Sequence, residues 1–317
     1  MNLTAYGIEE YVSSCIQLAT LLEVSAYPKP GNVHRTADFD DTRYEHFLAS
    51  SVAIGPILRI ASHRGTLASS GEISFCQIGI GRLINRAVSA MLSCQRGGNT
   101  ILGTILLLIP VSAASGYVWS QPSPSVDRLR KAIAEVIHST TPEDAIHVYD
   151  AIRTSGAGGL GSVEKFDVTK ENSREEILRS GISLMEIFKM SSEYDSISSE
   201  YAHDFKVTFE IGYPYFAKEV SEGSDCNTAT VHTFLRILSL VPDTLVARRA
   251  GKPMAKELSD SAEQILSIGG LRSAAGRKKL KNLDMRLRSG SFKLNPGTTA
   301  DLTASSLAIA VLDGYLP

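Results

Sequence analysis

The sequence predicts an all-α fold, in the form of a single bundle-like domain of about ten helices over residues 1–317. Apolar residues recur at intervals of three and four along most of the chain, which is the period of amphipathic helices. Alternating polar and apolar strand patterns are nearly absent. The segments between the helical stretches are short and rich in Gly, Pro and Ser, with no internal repeat or low-complexity linker.

In the first half of the chain, the pattern over residues 8–22 predicts an amphipathic helix with one buried stripe. A second predicted helix begins near Asp41, and three more cover residues 84–92, 99–108 and 126–137. The helix over residues 99–108 is apolar on nearly all sides, so we expect it to lie at the centre of the bundle. It is expected to end at Pro110, which makes it shorter than the roughly 20 residues that cross a bilayer.

In the second half, capping residues mark the helix starts. Thr141 precedes a proline at the first helical position, and Ser173 with Glu176 has the pattern of a capping box. The Ser-rich stretch 191–199 is predicted to be an exposed loop. Further helices are predicted over residues 228–240, 253–266, 277–288 and 299–312.

Composition and charge exclude several classes of protein. The formal net charge of −2 provides no field that would attract nucleic acid, so a phosphate site has to be a local basic cluster. No signal-peptide pattern begins the chain. We therefore expect a cytoplasmic protein with small-molecule partners, no nucleic acid and no membrane, and a homo-oligomer stays open. The four cysteines, which lack C-x-x-C spacing and argue against a zinc site or disulfide framework, are Cys15, Cys76, Cys94 and Cys226.

The connector over residues 27–35 is the most informative segment. Pro30 fixes its own backbone and pushes Lys29 towards an extended conformation, while Gly31 permits a tight turn. Lys29 and Arg35 on a stiff loop suit an anionic ligand, phosphate above all. The alternative is a turn that ends the helix and exposes its charges to solvent.

Acidic residues lie on both sides of this connector. Glu23 occupies the last turn of the first helix, where a carboxylate opposes the helix dipole and needs a cation, a metal or a ligand nearby, unless it is simply exposed. Three aspartates occur among residues 38–41, at the predicted start of the second helix. Capping accounts for one or two of them. The third favours Mg²⁺, which binds through one or two carboxylates plus substrate phosphates, and Asp41 is the candidate ligand.

A glycine pair precedes the most apolar helix. Gly97 and Gly98 leave the backbone N–H groups near Asn99 and Thr100 open to an anion, and the helix dipole adds to the attraction. This start is therefore predicted to bind phosphate. In the alternative interpretation the glycines end one helix and Asn99 caps the next.

The last predicted helix also starts beside a glycine, Gly297. Thr298 can cap it with Asp301 returning the hydrogen bond, and Asp301 becomes a metal or hydroxyl ligand if it faces inward. In a weaker pattern, an aspartate caps a helix that carries Arg248 and Arg249, which either bind phosphate or are only structural. The G-x-G-x-x-G match over residues 156–161 follows a helical pattern, so it lacks the strand context of a dinucleotide site.

Taken together, these motifs resemble the triphosphoribosyl-dephospho-CoA synthase family. Members of that family are all-α enzymes that transfer the triphosphoribosyl group of ATP to the 2′-hydroxyl of dephospho-CoA and release adenine. Their product is a prosthetic-group precursor for the acyl carrier subunit of citrate or malonate lyases. The resemblance runs in order over nearly the whole chain, through E-V-S-A-Y-P-K-P-G from Glu23, Asp41 ahead of F-L-A-S, G-G-N-T-x-x-G from Gly97, D-T with Arg248 and Arg249, and P-G-x-x-A-D-L around Asp301.

The resemblance implies ATP as substrate, and the carboxylates of the chain lead us to expect Mg²⁺ as cofactor. The metal would be held by Asp41 and Asp301, with Glu23 as third ligand or base. Where the family has G-G-V-N-T-H-K-G, this chain lacks the valine and has Ile101-Leu102 in place of His-Lys; Phe39 also replaces a histidine. A nucleotide N-glycosidic hydrolase and a non-catalytic ATP-binding protein therefore remain alternatives. The expected phosphate contacts are Lys29, Gly31, Arg35, Gly97, Gly98, Asn99, Thr100, Arg248, Arg249 and Gly297.

Overall fold

The computed structural model describes residues 7–158, 165–289 and 294–317, and over these ranges the chain forms fifteen α-helices and no β-strand. The all-α class is confirmed, while the predicted number of helices was too low. In chain order the helices are α1 (Ile8–Ser25), α2 (Tyr44–Ser69), α3 (Ile80–Cys94), α4 (Leu102–Trp119), α5 (Val126–His138), α6 (Pro142–Ser155), α7 (Ser173–Ser180), α8 (Leu184–Ser191), α9 (Ser196–Ala202), α10 (Tyr213–Ser221), α11 (Cys226–Leu240), α12 (Thr244–Ala250), α13 (Lys252–Ser267), α14 (Ala274–Ser289) and α15 (Gly297–Leu312).

The missed helices are short and lie between α7 and α11. The Ser-rich stretch predicted as an exposed loop instead ends α8 and begins α9, because Asp195 caps α9 by accepting a hydrogen bond from the Ser198 N–H at 2.9 Å. The capping box predicted at Ser173 is also wrong. The Glu176 carboxylate accepts a hydrogen bond from the Phe166 N–H, and Asn172 precedes the helix.

Two helices begin later in the chain than the sequence analysis predicted. The second helix begins at Tyr44 rather than Asp41, and α4 begins at Leu102 rather than at Asn99. Helix α4 also continues through Pro110, contrary to the sequence prediction. Pro110 cannot donate a helix hydrogen bond, but packing on all sides stabilises the helix enough to offset this loss. By length and composition α4 could cross a membrane, but 83% of it is buried inside the protein, as in a core helix.

Helix α4 forms the centre of the larger hydrophobic core and packs against α1, α2, α3, α5 and α15. A smaller core lies between α11, α12, α13 and α14. Helix α11 contributes side chains to both cores, with Ile237 in the larger and Phe234 in the smaller one. The single domain over residues 1–317 stays a prediction.

Candidate functional site

The starts of α4 and α15 lie beside the end of α1 and the 26–43 connector, and these segments enclose a cavity of about 710 Å³ together with α6, α8, α9 and α12. This volume lies within the range of small-molecule sites. The structure thus brings widely separated connectors of the chain to one place. The predicted site residues that line the cavity are Glu23, Lys29, Asp41, Asn99, Thr100, Arg248, Arg249, Gly297 and Asp301.

Four predicted phosphate contacts do not belong to the cavity wall, namely Gly31, Arg35, Gly97 and Gly98. Arg35 is exposed, and its guanidinium carbon lies 4.2 Å from the centroid of the Tyr27 ring. Gly31 serves the turn itself, because its φ of 74° is one that residues with a side chain rarely adopt. We therefore assign no ligand role to these four residues.

Glu23 and Lys29 form a buried ion pair on the cavity wall. The Lys29 ammonium contacts Glu23 Oε1 and donates to the Glu23 carbonyl oxygen at 2.6 Å, and Lys29 is only 1% exposed. Burial raises the pKa of Glu23 and lowers the pKa of Lys29, while the attraction between the two charges opposes both shifts. The carboxylate that opposes the dipole of α1 is therefore compensated by a cation from the neighbouring connector.

Asp301 reaches across from α15 to the first turn of α4. Its Oδ1 accepts a hydrogen bond from Thr104 Oγ1 at 2.6 Å, and a Cβ added at Gly103 would lie 2.1 Å from its Oδ2. The predicted capping of α15 by Thr298 and Asp301 is thus wrong, and Pro296 precedes that helix. Burial, with the negative charges of Glu23 and Asp243 adding to it, raises the pKa of Asp301 to about 7.

Asp243 holds the starts of two helices together. Its Oδ1 accepts from the Val246 N–H at 2.9 Å, as predicted for the cap of α12. Its Oδ2 accepts from the Thr299 N–H at 2.7 Å and the Thr299 hydroxyl at 2.8 Å. Sequence analysis missed this second contact, which fixes the arginine-bearing helix against the helix that carries Asp301.

The two arginines of α12 are held by neighbours on the cavity wall. Arg248 Nη1 lies 2.6 Å from Asp195 Oδ2, and Arg249 Nη1 donates to Asn295 Oδ1 at 3.0 Å. The Nε of Arg248 is buried and has no hydrogen-bond partner in the described parts of the chain. Asp195 belongs to none of the motifs, so sequence analysis had no reason to select it.

The start of α4 combines a polar edge with an apolar one. Asn99 Oδ1 accepts from the Leu102 N–H at 3.1 Å, so it supports the helix start although Ile101 occupies the position before the helix. Ile101 and Leu102 both line the cavity, as does Phe39 from the connector. The positions at which this chain departs from the family pattern therefore lie on the cavity wall itself.

The predicted three-carboxylate Mg²⁺ site is not preformed. Across residues 7–158, 165–289 and 294–317, no group of three or more His, Cys, Asp or Glu side chains is placed to hold a metal ion. Glu23 is engaged by Lys29, and Asp301 by Thr104. Asp41 is exposed, lines the cavity and has no side-chain partner in the described structure.

The part of the cavity wall that comes from α6, α8 and the segments after them is rich in apolar side chains and carries four aromatic residues that sequence analysis missed. We call Tyr149, Phe166, Phe188 and Tyr194 the aromatic wall. They come from α6, the segment after it, α8 and the α8–α9 turn, so no local pattern connects them. Gly156, the first glycine of the G-x-G-x-x-G match, ends α6 with a φ of 64°, and residues 159–161 of the match lie outside the described residues.

Comparison with known proteins gives a consistent result. Residues 9–317 match the family model described as ATP:dephospho-CoA triphosphoribosyl transferase. A protein of Pseudomonas fluorescens named as a probable 2-(5″-triphosphoribosyl)-3′-dephosphocoenzyme-A synthase is 24% identical over 296 residues, which is 92% of this chain and 87% of that protein. A protein of the same name from Pseudomonas syringae pv. tomato is 32% identical over 115 residues, which is 36% of this chain and 38% of that protein.

A solved structure from Archaeoglobus fulgidus, provisionally titled as a triphosphoribosyl-dephospho-CoA synthase, has a similar fold. The TM-score is 0.62 and the sequence identity is 26%, over 85% of this chain and 100% of that one.

Proposed function

The chain belongs to the ATP:dephospho-CoA triphosphoribosyl transferase family, and we propose that it transfers the triphosphoribosyl group of ATP to the 2′-hydroxyl of dephospho-CoA with release of adenine. The observation that carries this proposal is the shared cavity. Lys29, Asn99 and Asp301 belong to three separate motifs of the family resemblance, and all three line it. Arg248 and Arg249 from a fourth motif line it too.

The reaction replaces the bond between C1′ of the ribose and N9 of adenine with a bond from C1′ to the acceptor oxygen. The acceptor hydroxyl has to lose its proton, and a general base is most effective when its pKa is near the working pH. Asp301 meets this condition, because burial raises its pKa to about 7 and Thr104 holds one of its oxygens in place. We assign it as the base.

The triphosphate needs positive charge and fixed donors, because positioning and electrostatics supply most of the acceleration in such transfers. Arg248 and Arg249 supply two cations on one side of the cavity. The start of α15 at Gly297 and the polar residues Asn99 and Thr100 before α4 add donors and the positive ends of helix dipoles. We assign these groups to the triphosphate.

The donor set of the cavity fits Mg²⁺ carried in by ATP. Mg²⁺ commonly binds through one or two carboxylates plus substrate phosphates, and Asp41 offers one such carboxylate without a competing protein partner in the described structure. When bound, the ion would neutralise part of the phosphate charge. Asp41 is thus the residue we assign to the metal.

Incubation with ATP, Mg²⁺ and dephospho-CoA, followed by chromatographic separation of adenine from ADP, tests the proposal. We expect adenine to appear only when the acceptor is present, in equal amount to the transfer product. Adenine formed at the same rate without acceptor would identify a hydrolase, and ATP binding without adenine under any condition would identify a non-catalytic protein.

Replacing Gly103 with Ala should reduce activity at least tenfold, by a steric effect on Asp301. The added Cβ would lie 2.1 Å from Asp301 Oδ2, and a side-chain carboxylate moves away more easily than backbone does. We expect little loss of stability, since alanine is favoured over glycine within helices. Steady-state kinetics and thermal unfolding check the two expectations.

Gly55→Ala is the matched control for this variant. Its added Cβ would meet the amide end of Gln17 at 2.8 Å, which is also a flexible side chain, and neither residue lines the cavity. We expect the control to keep wild-type activity. Equal activities of the Gly103 and Gly55 variants would remove Asp301 from the proposed site.

A further inference from the structure

The residues that line the cavity fall into two groups, one rich in aromatic side chains and one that holds most of the charged side chains, and this difference locates one part of the substrate. On the assumption that the proposed function is correct, we propose that the aromatic wall binds the adenine base of ATP, with the ring of Tyr194 as its stacking surface. Other apolar side chains of the same group, such as Ile152 and Ile187, also line the cavity, and ligand pockets of this apolar kind accept a nucleobase.

The partition follows from how the helices pack. Helix α8 packs against both α6 and α9, and this group lines the cavity mainly with aromatic and aliphatic side chains, although Lys165, Asp167 and Asp195 also belong to it. The second group, from α1, the 26–43 connector, α4, α12 and α15, combines apolar residues such as Phe39 and Ile101 with the other charged residues of the described lining, which are Glu23, Lys29, Asp41, Arg248, Arg249 and Asp301. A ligand with a planar aromatic end and a polyanionic end matches this arrangement.

Tyr194 is the exposed member of the aromatic wall, because Tyr149 and Phe188 are buried in the larger core and Phe166 packs against that core. The hydroxyl of Tyr149 donates to the Phe166 carbonyl oxygen, and the Phe188 ring packs edge-on against Tyr201 with centroids 4.7 Å apart. Tyr194 is 46% exposed, and in the described ranges its hydroxyl has no hydrogen-bond partner and its ring has no aromatic or cationic partner. Its ring is therefore available to a base that enters the cavity.

The neighbouring ion pair argues for the base of the donor rather than that of the acceptor. Asp195, the residue next to Tyr194, holds Arg248 at 2.6 Å, and Arg249 follows on the same helix. The proposed stacking residue is thus next in the chain to the aspartate that binds Arg248, one of the two cations that we assign to a triphosphate. ATP is the substrate that carries both a base and a triphosphate.

Isothermal titration calorimetry with two probes, free adenine and inorganic tripolyphosphate, tests base binding and triphosphate binding separately. In Tyr194→Ala we expect adenine to bind about 5- to 150-fold more weakly, because stacking of a base on an aromatic side chain is worth about 1–3 kcal/mol. In Tyr194→Phe, which keeps the ring, adenine affinity should stay within about twofold of wild type. Tripolyphosphate affinity should be unchanged in both variants, and saturating ATP should prevent adenine from binding.

Three results would overturn the proposal. Wild-type protein that binds no adenine, or Tyr194→Ala that binds it normally, would exclude a base site at Tyr194. Adenine displaced by dephospho-CoA but not by ATP would assign the aromatic wall to the acceptor. The proposed function is tested independently, because adenine release from ATP in the wild type can fail while adenine binding succeeds.

Discussion

Asp301→Asn should lower kcat by about 10²–10⁴-fold, the usual contribution of a general base, and at the same time stabilise the protein at pH 8. The amide keeps the size of the side chain but cannot accept a proton from the acceptor hydroxyl. Its stabilising effect arises because the ionised carboxylate is unfavourable where it lies, next to Glu23 and Asp243 and largely out of water. Activity and stability should therefore change in opposite directions.

The pH dependence of this variant follows from the raised pKa. An aspartate in the unfolded chain titrates near pH 3.9, whereas the pKa of folded Asp301 is about 7. Between these values the folded protein binds more protons than the unfolded one, so this group makes the wild type less stable as pH rises. Asp301→Asn does not lose stability in this way. The amount by which its free energy of unfolding exceeds that of the wild type should therefore be larger at pH 8 than at pH 5.

Urea unfolding at the two pH values and steady-state kinetics provide the measurements. The wild-type rate should rise with pH through about 7 as Asp301 loses its proton. Asp260→Asn, which removes a half-buried carboxylate on α13 outside the cavity, is the control and should keep the wild-type rate. An Asp301→Asn variant with normal kcat and a raised KM would show that Asp301 binds substrate without acting as the base.

The long helices could be predicted from sequence because each has a clear apolar period, as α1 and α5 show. The short helices between α7 and α11 could not, since tertiary contacts fix their ends. The buried Glu200 carboxylate, for example, accepts hydrogen bonds from the N–H groups of Val207 and Thr208 at 2.7 and 2.9 Å. Such a contact beyond the end of α9 has no signature in local composition.

The candidate site likewise has some features that could be predicted from local sequence and others that could not. Its local parts could be predicted, including the need of Glu23 for a compensating charge. The pairs that join distant segments could not, because Arg248 and Asp195 lie 53 residues apart and Thr104 and Asp301 lie 197 apart. Periodicity and capping rules act over a few residues, so they identify the connectors but do not give their partners.

Lys29→Met should lower the free energy of unfolding by about 3–5 kcal/mol at pH 8, because it leaves the Glu23 carboxylate buried without its cation. Burial already raises the pKa of Glu23, and loss of the ammonium raises it further. The unpaired carboxylate then favours its neutral form, so the destabilisation should shrink as the pH falls and Glu23 takes up a proton. Chemical denaturation between pH 5 and 8 checks both the size and the sign of this dependence.

The double variant Glu23→Gln/Lys29→Met separates the structural role of Lys29 from its expected role in phosphate binding. With no buried charge left at this position, it should regain most of the lost stability, since a neutral pair of similar volume can replace a buried ion pair. If Lys29 also contacts the triphosphate, the stable double variant should still bind ATP more than tenfold more weakly than wild type by calorimetry. Normal ATP affinity in that variant would leave Lys29 with the single task of neutralising Glu23 beside the cavity.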